Sequence, residues 1–122
     1  MCNAVSLAFA IPVAVFDVSQ MTSQLDARYA PGDEDYRTFS GQVERPSPHE
    51  VIFADLAGRV HARRWTNRQS GPSAVQASTA TALIVAEAMH NSASPDVPEL
   101  TAAIAGELDA VWSITPQAAV LS

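Results

Sequence analysis

The stretch 50–73 constrains the fold more than any other part of the chain. Its apolar residues predict a strand over 51–55, and Gly58 can take the positive φ that a tight turn requires. A second strand is predicted over 59–66, and a polar loop over 67–73 follows it and contains a Gly-Pro turn. We therefore expect a two-stranded hairpin that holds a polar loop, an arrangement suited to building a binding site.

The basic residues are unusual in kind and in position. The chain has a formal net charge of −6 and no lysine, so all seven basic residues are arginines. Four of them fall within ten positions of the hairpin, namely Arg59, Arg63, Arg64 and Arg68. The overall acidity argues against indiscriminate nucleic-acid binding, which needs a broad positive surface. A local cluster suits one phosphate or carboxylate group, or else the arginines pair with nearby acids on a solvated strand face.

The cysteine and histidine content argues against two kinds of site. Cys2 is the only cysteine, so we expect no disulfide within the chain and no metal site built on thiolates. The three histidines, His49, His61 and His90, show no metal-ligand spacing, and His61 is predicted to be exposed or half buried. We expect no metal and no cofactor, and a reducing, cytoplasmic setting.

Residues 2–16 are almost wholly apolar, but their pattern is not that of a signal or a membrane span. No basic residue precedes Arg28, the run is too short to cross a bilayer, and Pro12 interrupts it. We predict a helix over 3–10 that turns at Pro12 into a buried strand over 13–16. Because a chain seldom opens directly into core structure, we expect a piece of a longer protein or a core completed by a partner.

Weaker patterns predict five further elements. They are, in chain order, a helical turn over 17–24 capped by Asp17 or Ser19, a strand over 36–43 interrupted at Gly41, a buried strand or a helix over 82–86, a helix over 97–112 capped by Ser94 or Asp96, and a short strand over 115–121. A chain of 122 residues with this mixture predicts one α+β domain.

The loop of the hairpin lacks any established catalytic motif. The sequence contains no phosphate-binding glycine loop, no nucleophile elbow and no metal motif. Ser70 and Ser73 have no histidine at a fixed offset to act as a base, so we expect them to form the turn. Trp65 is a core or rim aromatic, or a stacking surface for a base or an aromatic substrate. Glu87 is either a buried acid facing the arginines or the first exposed residue after the run 82–86.

Two segments of the sequence carry a family resemblance. The first comprises Asn3-Ala4-Val5-Ser6-Leu7, Pro12 and Phe16-Asp17. The second, which is more specific, comprises 50–55, Gly58-Arg59, Arg63-Arg64-Trp65-Thr66-Asn67-Arg68-Gln69-Ser70, Ser73-Ala74-Val75 and Thr79. Together they resemble the tRNA-binding and editing domain, called B3/4, of the phenylalanyl-tRNA synthetase beta subunit, and more closely the stand-alone B3/4 domain proteins. The resemblance covers nearly the whole chain but only the latter part of the family's domain.

The resemblance implies an incomplete α+β fold in which a mixed or antiparallel sheet is backed by helices. In the synthetase this domain is a checkpoint that hydrolyses tyrosine from mischarged tRNA, and synthetase activity itself is not expected of it. The synthetase's histidine, glycine pair and glutamate fall here on Ala14, Gln69-Ser70 and Val85, with Glu87 two residues further on the same strand face. The resemblance therefore supports the fold better than the reaction.

The first functional hypothesis is a tRNA-binding, editing-like module that hydrolyses mischarged aminoacyl-tRNA in trans. No catalytic side chain is assigned, and a positioned water is the expected nucleophile. The predicted substrate-binding residues are all polar or charged: Arg64 and Arg68 for a phosphate or carboxylate, Asn67 and Gln69 for amide or hydroxyl groups, Ser70 and Ser73 for further hydrogen bonds, and Asn3 and Glu87. The alternatives are a small-molecule binding or metabolic enzyme domain that reuses the pocket for an amino-acid-like ligand, and an inactive truncated domain. The expected partners are tRNA, such a ligand or a second copy of the chain, and not a membrane.

Overall fold

The hairpin predicted over residues 50–66 lies at the centre of a mixed sheet. The computed structural model of the protein describes residues 1–22, 24–65 and 68–121. Within these ranges the helices and strands are α1 (Cys2–Phe9), β1 (Val13–Asp17), β2 (Leu25–Tyr29), β3 (Asp35–Arg37), β4 (Val43–Glu44), β5 (Val51–Asp55), β6 (Arg59–Arg63), β7 (Arg68–Gln69), β8 (Ala82–Ala86) and α2 (Ala93–Trp112). This content confirms the predicted α+β class.

The larger sheet has the strand order β2-β5-β6-β3-β4. Strand β5 pairs antiparallel with both β2 and β6, whereas β3 lies parallel to β6. Strands β3 and β7 share the other edge of β6: β3 pairs with Arg59 and Val60, and β7 pairs with Ala62 and Arg63. Strand β6 is therefore the element that the rest of this sheet surrounds. Strands β1 and β8 form a separate two-stranded sheet.

The chain divides into two compact units. The first, which we call the sheet unit, is Ala14–Val85 and holds the larger sheet. The second, which we call the helical unit, combines Met1–Val13 with Ala86–Ser122 and holds both helices, which contact each other. Neither helix in the described ranges combines the length and the apolar character that a bilayer crossing requires.

A bulge in β6 distributes the core of the sheet unit over two faces. Ala54 lies opposite Val60 and Phe53 lies opposite Ala62, so His61 is the extra residue on β6. In a regular strand Val60 and Ala62 would share a face, but here they pack in different clusters. One cluster consists of Ala30, Tyr36, Ile52, Ala54 and Val60, and the other of Ala14, Phe16, Phe53 and Ala62.

The N-terminal helix and its corner confirm the prediction. Helix α1 ends at Ala10, which takes a left-handed conformation (φ 54°), and β1 begins one residue after Pro12. The Ile11 N–H donates to the carbonyl of Ser6 at 3.2 Å, which satisfies one of the last carbonyls of the helix, and the Ser6 hydroxyl donates to the Ile11 carbonyl at 2.7 Å. The helical turn after β1 is also confirmed, as a 3₁₀ turn over Val18–Gln20 capped by the Asp17 carboxylate.

Helix α2 begins four residues earlier than predicted. Its N-cap is Ser92, not Ser94 or Asp96. The Asp96 carboxylate instead accepts hydrogen bonds from the Ser92 hydroxyl at 2.6 Å and from His90 Nε2 at 2.9 Å. Pro95 is tolerated in the first turn because the first N–H groups of a helix have no partner within the helix.

Three other strand predictions need correction or refinement. The strand predicted over 115–121 is wrong: these residues have no regular structure and are mostly exposed, and Pro116 has no N–H to donate to a ladder. The strand predicted over 36–43 is two short antiparallel strands, β3 and β4, joined by a turn in which Gly41 has φ 87°. The residues 82–86 form a strand, not a helix, but its residues are exposed or half buried, so the expected burial is wrong. Strand β2 was not predicted.

Candidate functional site

Each of the two ends of the β5–β6 hairpin holds oppositely charged side chains. We call the end formed by residues 55–59 the turn end, and the end formed by residues 50–51 and 63–65 the loop end. Each end is organised by one buried acid, Asp55 or Glu50, and each acid is contacted by an arginine.

At the turn end, Asp55 both closes the turn and orients His61. Its Oδ1 accepts from the backbone N–H groups of Ala57 and Arg59 at 3.0 and 3.1 Å. Its Oδ2 accepts from the Thr22 N–H at 3.1 Å and contacts His61 Nε2 at 2.9 Å. Burial alone would raise the pKa of Asp55, but the hydrogen bonds from His61, Arg59 and Thr22 outweigh it and lower that pKa to about 2. Asp55 is therefore ionised, and His61 Nε2 carries the proton that it donates.

The prediction that His61 is exposed or half buried is wrong, because its side chain is only 3% exposed. The bulge places His61 where it reaches Asp55, six residues back across the turn. The other ring nitrogen, Nδ1, is buried and has no hydrogen-bond partner among the described residues. A buried acceptor or donor without a partner costs free energy, so the hydrogen bond to Asp55 has to offset this cost.

A cavity of about 220 Å³ adjoins His61 in the sheet unit. Its polar walls come from strands β3 and β6, the 3₁₀ turn after β1 and the loop after β7, and the residues are Gln20, Asp35, Arg37, Arg59, His61 and Ser70. Val43, Val60 and Pro72 provide its apolar walls. Of the substrate-binding residues predicted from the sequence, Ser70 is the one that lines this cavity.

At the loop end, Arg63 is a structural ion-pair centre. Its Nε and Nη2 bind the two oxygens of Glu50 at 2.8 and 2.9 Å, and its Nη1 binds Glu44 at 3.1 Å. Its guanidinium also lies 5.4 Å from the ring centroid of Tyr36. The hydrogen bonds from Arg63 lower the pKa of Glu50 to about 2, although burial opposes this. The Arg63 side chain is only 7% exposed and forms a bidentate ion pair with Glu50. It is therefore not available to bind a ligand.

The two arginines predicted to bind a ligand lie near this pair but are more exposed. Arg68 Nη2 is 3.4 Å from Glu44, and its guanidinium lies 5.6 Å from the Tyr36 ring centroid. Its side chain is 40% exposed, so this pair is weak and open to exchange. Arg64 is exposed, and its backbone N–H donates to Glu50 at 3.3 Å. Arg64 and Trp65 both have positive φ values, 49° and 62°, which are unfavourable for residues with a Cβ.

Gln69, Ser70 and Ser73 converge, but on the backbone and on each other. Gln69 Nε2 donates to the carbonyls of Val15 and Ser73, the second at 3.2 Å. The hydroxyls of Ser70 and Ser73 are hydrogen-bonded to each other at 2.5 Å, and both residues are buried. The Gln69 side chain therefore links β7 to strand β1, whereas the two serines hold the loop after β7 together.

The remaining predicted site residues lie elsewhere. Asn67 is outside the described residues, as is Thr66 at the predicted end of the second strand. Asn3 is exposed on α1 and Glu87 follows β8, and both belong to the helical unit. Burial raises the pKa of Glu87, and its Oε2 has no hydrogen-bond partner in the described part of the chain.

The sequence reasoning missed Asp55, His61, Arg37 and Arg63 as site residues. The separation of Asp55 and His61 across a predicted hairpin turn was a usable signal, since residues that flank a turn face each other. The bulge that brings them together left no signal. The described residues contain no group of three or more histidine, cysteine or acidic side chains that could hold a metal ion.

The fold and the hairpin site define an α+β domain whose candidate site lies on a mixed sheet. A family profile for the B3/4 domain matches residues 1–94, a range that contains both hairpin ends and the cavity residues. The chain therefore belongs to the B3/4 domain family, as the resemblance of its sequence indicated. A search of curated proteins finds no match.

Proposed function

We propose that the chain is an aminoacyl-tRNA-directed module, which binds tRNA at the loop end of the hairpin and acts on the aminoacyl ester. The observation that carries this proposal is membership of the B3/4 family over residues 1–94, a range that contains the whole hairpin. In the phenylalanyl-tRNA synthetase beta subunit, the domain that the sequence resembles binds and edits tRNA.

The charges at the loop end support a contact with a few phosphates rather than a long electrostatic groove. Arg64 is exposed and Arg68 is held only by a weak, partly exposed pair with Glu44, so a phosphate can replace Glu44. Trp65, 38% exposed, lies next to Arg64 and offers a ring for stacking on a base. The sheet unit contains all seven arginines and eight of the thirteen acids, which limits the number of phosphates that it neutralises.

Binding of uncharged tRNA at several salt concentrations tests the contact with RNA. Arg64→Gln and Arg68→Gln should each weaken binding and lower the salt slope by about 1, because each removes one phosphate contact. Arg59→Gln, which removes the same charge at the turn end, is the matched control and should leave binding unchanged. Equal weakening by all three variants would show a nonspecific charge effect and contradict the proposal.

Deacylation of a panel of mischarged tRNAs by the 122-residue chain tests the reaction. We expect release of the amino acid from at least one mischarged tRNA, with a positioned water as the nucleophile. The absence of both turnover and tRNA binding would overturn this function.

The second candidate function is the binding of a small amino-acid-like molecule. The observation that favours it is the pairing of Arg59 and Arg63 with acids of the same unit, which leaves few arginines of the hairpin for RNA. A thermal-shift screen with free amino acids and keto acids separates the two functions. A tRNA-directed module should respond weakly to free ligands, whereas a small-molecule site should gain stability in proportion to the logarithm of ligand concentration.

A further inference from the structure

Strand β2 is an edge of the larger sheet. It pairs with β5 over all its residues, Leu25–Tyr29, and in the described part of the chain β5 is its only hydrogen-bonded neighbour. We call the side of β2 that faces away from β5 the open side. The strand contains no proline and its register with β5 is unbroken, so its open side presents a regular row of N–H and C=O groups to another strand.

Two hydrogen bonds establish which backbone groups of β2 point to the open side. The Val51 carbonyl accepts from the Trp65 N–H at 3.0 Å, so Val51 is turned towards β6 and its partner Tyr29 is turned away from β5. The next residue, Ala30, donates instead to the Glu50 carbonyl at 2.7 Å. Because this direction alternates along a strand, three residues of β2 point their N–H and C=O groups to the open side: Leu25, Ala27 and Tyr29.

The sequence of β2, Leu25-Asp26-Ala27-Arg28-Tyr29, is complementary to itself when it is read in the opposite direction. In an antiparallel pair of two copies centred on Ala27, Asp26 of each copy lies opposite Arg28 of the other. Leu25 of each copy lies opposite Tyr29 of the other, so an apolar side chain faces an aromatic one. Because such a pair has a twofold axis at Ala27, every contact occurs twice.

The backbone directions fit the register that pairs these charges. The outward-pointing residues form the hydrogen-bonded pairs, namely Ala27 with Ala27 and Leu25 with Tyr29. Asp26 and Arg28 then fall at non-hydrogen-bonded pairs, where facing Cα atoms are only about 4.5 Å apart and side chains approach most closely. The register that satisfies the backbone of the open side is therefore also the register that places opposite charges together.

The two charged side chains keep hydrogen-bonding capacity beside the open side. Arg28 Nη1 binds Glu34 at 2.6 Å and lies 3.5 Å from the Tyr29 carbonyl, while its Nε and Nη2 have no partner among the described residues. Since that carbonyl points to the open side, the guanidinium lies at the edge. Asp26 accepts from the Gln24 side chain through Oδ1 at 2.6 Å, and its Oδ2 has no partner within the described ranges.

We propose that two copies of the chain associate through β2, antiparallel and centred on Ala27, so that their larger sheets become continuous. The ion pairs between Asp26 and Arg28 of opposite copies select the register. The Tyr29 ring, which is 71% exposed, covers the half-buried Leu25 of the other copy. A single five-residue strand makes a small interface, so the dimer is in a concentration-dependent equilibrium with the monomer. This association does not depend on the function proposed above.

Two charge reversals and their mixture test the register by sedimentation equilibrium. Asp26→Arg gives β2 two positive residues and Arg28→Asp gives it two negative ones, so each variant alone places like charges opposite each other twice. Each should dimerise about tenfold or more weakly than the unmodified chain. An equimolar mixture of the two variants should associate as strongly as the unmodified chain, because every facing pair is again attractive.

Arg45→Asp is the matched control for these reversals. Arg45 is exposed in the loop between β4 and β5, so the same change of charge there should leave association unchanged. A mixture of Asp26→Arg and Arg28→Asp that associates no better than either variant alone would overturn the register. Dimerisation that both single reversals leave unchanged would place the contact on another surface and would overturn the proposal.

Amide hydrogen exchange of the unmodified chain tests the contact without any substitution. Protection of the Ala27 and Tyr29 N–H groups should rise with protein concentration, because only the dimer gives them a partner strand. The N–H groups of Asp26 and Arg28 point towards β5, and their protection should stay constant. A chain that stays monomeric up to millimolar concentration, with exchange at Ala27 independent of concentration, would overturn the proposal.

Discussion

The two ends of the β5–β6 hairpin use similar residues to different effect. At the loop end, the guanidinium of Arg63 binds Glu50 through Nε and Nη2 and Glu44 through Nη1, so each of its three nitrogens has an acidic partner. At the turn end the centre is an acid, Asp55, which closes the turn and orients the buried His61. The comparison teaches that charges clustered in the sequence can be used by contacts within the fold, so that unused hydrogen-bonding capacity, and not the number of charges in a segment, indicates a site for a partner.

Replacement of Arg63 tests most directly whether this residue is a buried ion-pair partner of Glu50 and is not available to a ligand. Arg63→Ala leaves the Glu50 carboxylate buried without its cation, and we expect a loss of about 3–5 kcal/mol in the free energy of unfolding. Arg64→Ala, at the adjacent exposed position, should change it by less than about 0.5 kcal/mol. Urea denaturation of both variants measures the difference. Similar losses for the two variants would mean that Arg63 is as open to solvent and ligand as its neighbour.

Acid titration compares the two buried carboxyls. The pKa of Glu50 and that of Asp55 are both lowered to about 2, from 4.5 and 3.8. A lowered pKa contributes stability that is fully present above the ordinary value and is lost as the pH falls towards the folded value. We expect the urea midpoint to fall between pH 5 and pH 2, with each carboxyl contributing about 2–3 kcal/mol.

Single amide variants assign the two contributions. Glu50→Gln should remove the part of the pH dependence that titrates from about pH 4.5, and Asp55→Asn the part that begins lower. A urea midpoint that is constant between pH 5 and pH 2 in the unmodified chain would contradict the hydrogen bonding inferred at both ends.

Gly71 tests how the loop after β7 supports the cavity wall at the turn end. Its N–H donates to the Arg37 carbonyl at 3.0 Å, and a Cβ at this position would lie 2.7 Å from the Thr38 carbonyl oxygen. Because that neighbour is backbone and has little freedom to move, Gly71→Ala should cost about 1–3 kcal/mol of stability. It should also disturb Ser70, the adjacent residue in the cavity wall.

Gly106→Ala is the matched control for this substitution. Gly106 lies inside α2, and a Cβ there meets nothing within 4 Å. The same chemical change should therefore stabilise the chain by about 0.5–1 kcal/mol, because alanine restricts the unfolded chain and favours the helix. Thermal melts of the two variants should shift in opposite directions, and a shift in the same direction would refute the close backbone approach at Gly71.

The local elements that depend on short-range signals were predictable from the sequence. The corner at Pro12, the bounds of β5 and the turn at Gly58 follow from proline, glycine and apolar alternation, and the structure contains each of them. Strand β2 was missed although Leu25, Ala27 and Tyr29 alternate with Asp26 and Arg28, which is the pattern of a strand with one solvated face, and it pairs with β5 residue by residue.

The site was less predictable because its contacts are long-range. Glu50 and Glu44 precede Arg63 by 13 and 19 residues, so their pairing required the register of three strands. The sequence raised the alternative that the arginines pair with acids, and for Arg59, Arg63 and Arg68 the structure contains such pairs. A one-residue bulge turned His61 from an expected surface residue into a buried one, and a bulge has no reliable sequence signature.

The smallest expected effect is that of replacing Arg64, because the replacement should raise stability and weaken the proposed tRNA binding. Arg64 has φ 49°, a left-handed conformation that costs most residues about 1–2 kcal/mol but that asparagine tolerates better. Arg64→Asn should therefore raise the free energy of unfolding by up to about 1 kcal/mol, while it weakens tRNA binding by removal of a cation. Arg64→Lys keeps both the charge and the strain, and should leave stability and binding close to those of the unmodified chain. If Arg64→Asn binds tRNA as well as Arg64→Lys does, the strained arginine at the loop end has no role in RNA recognition.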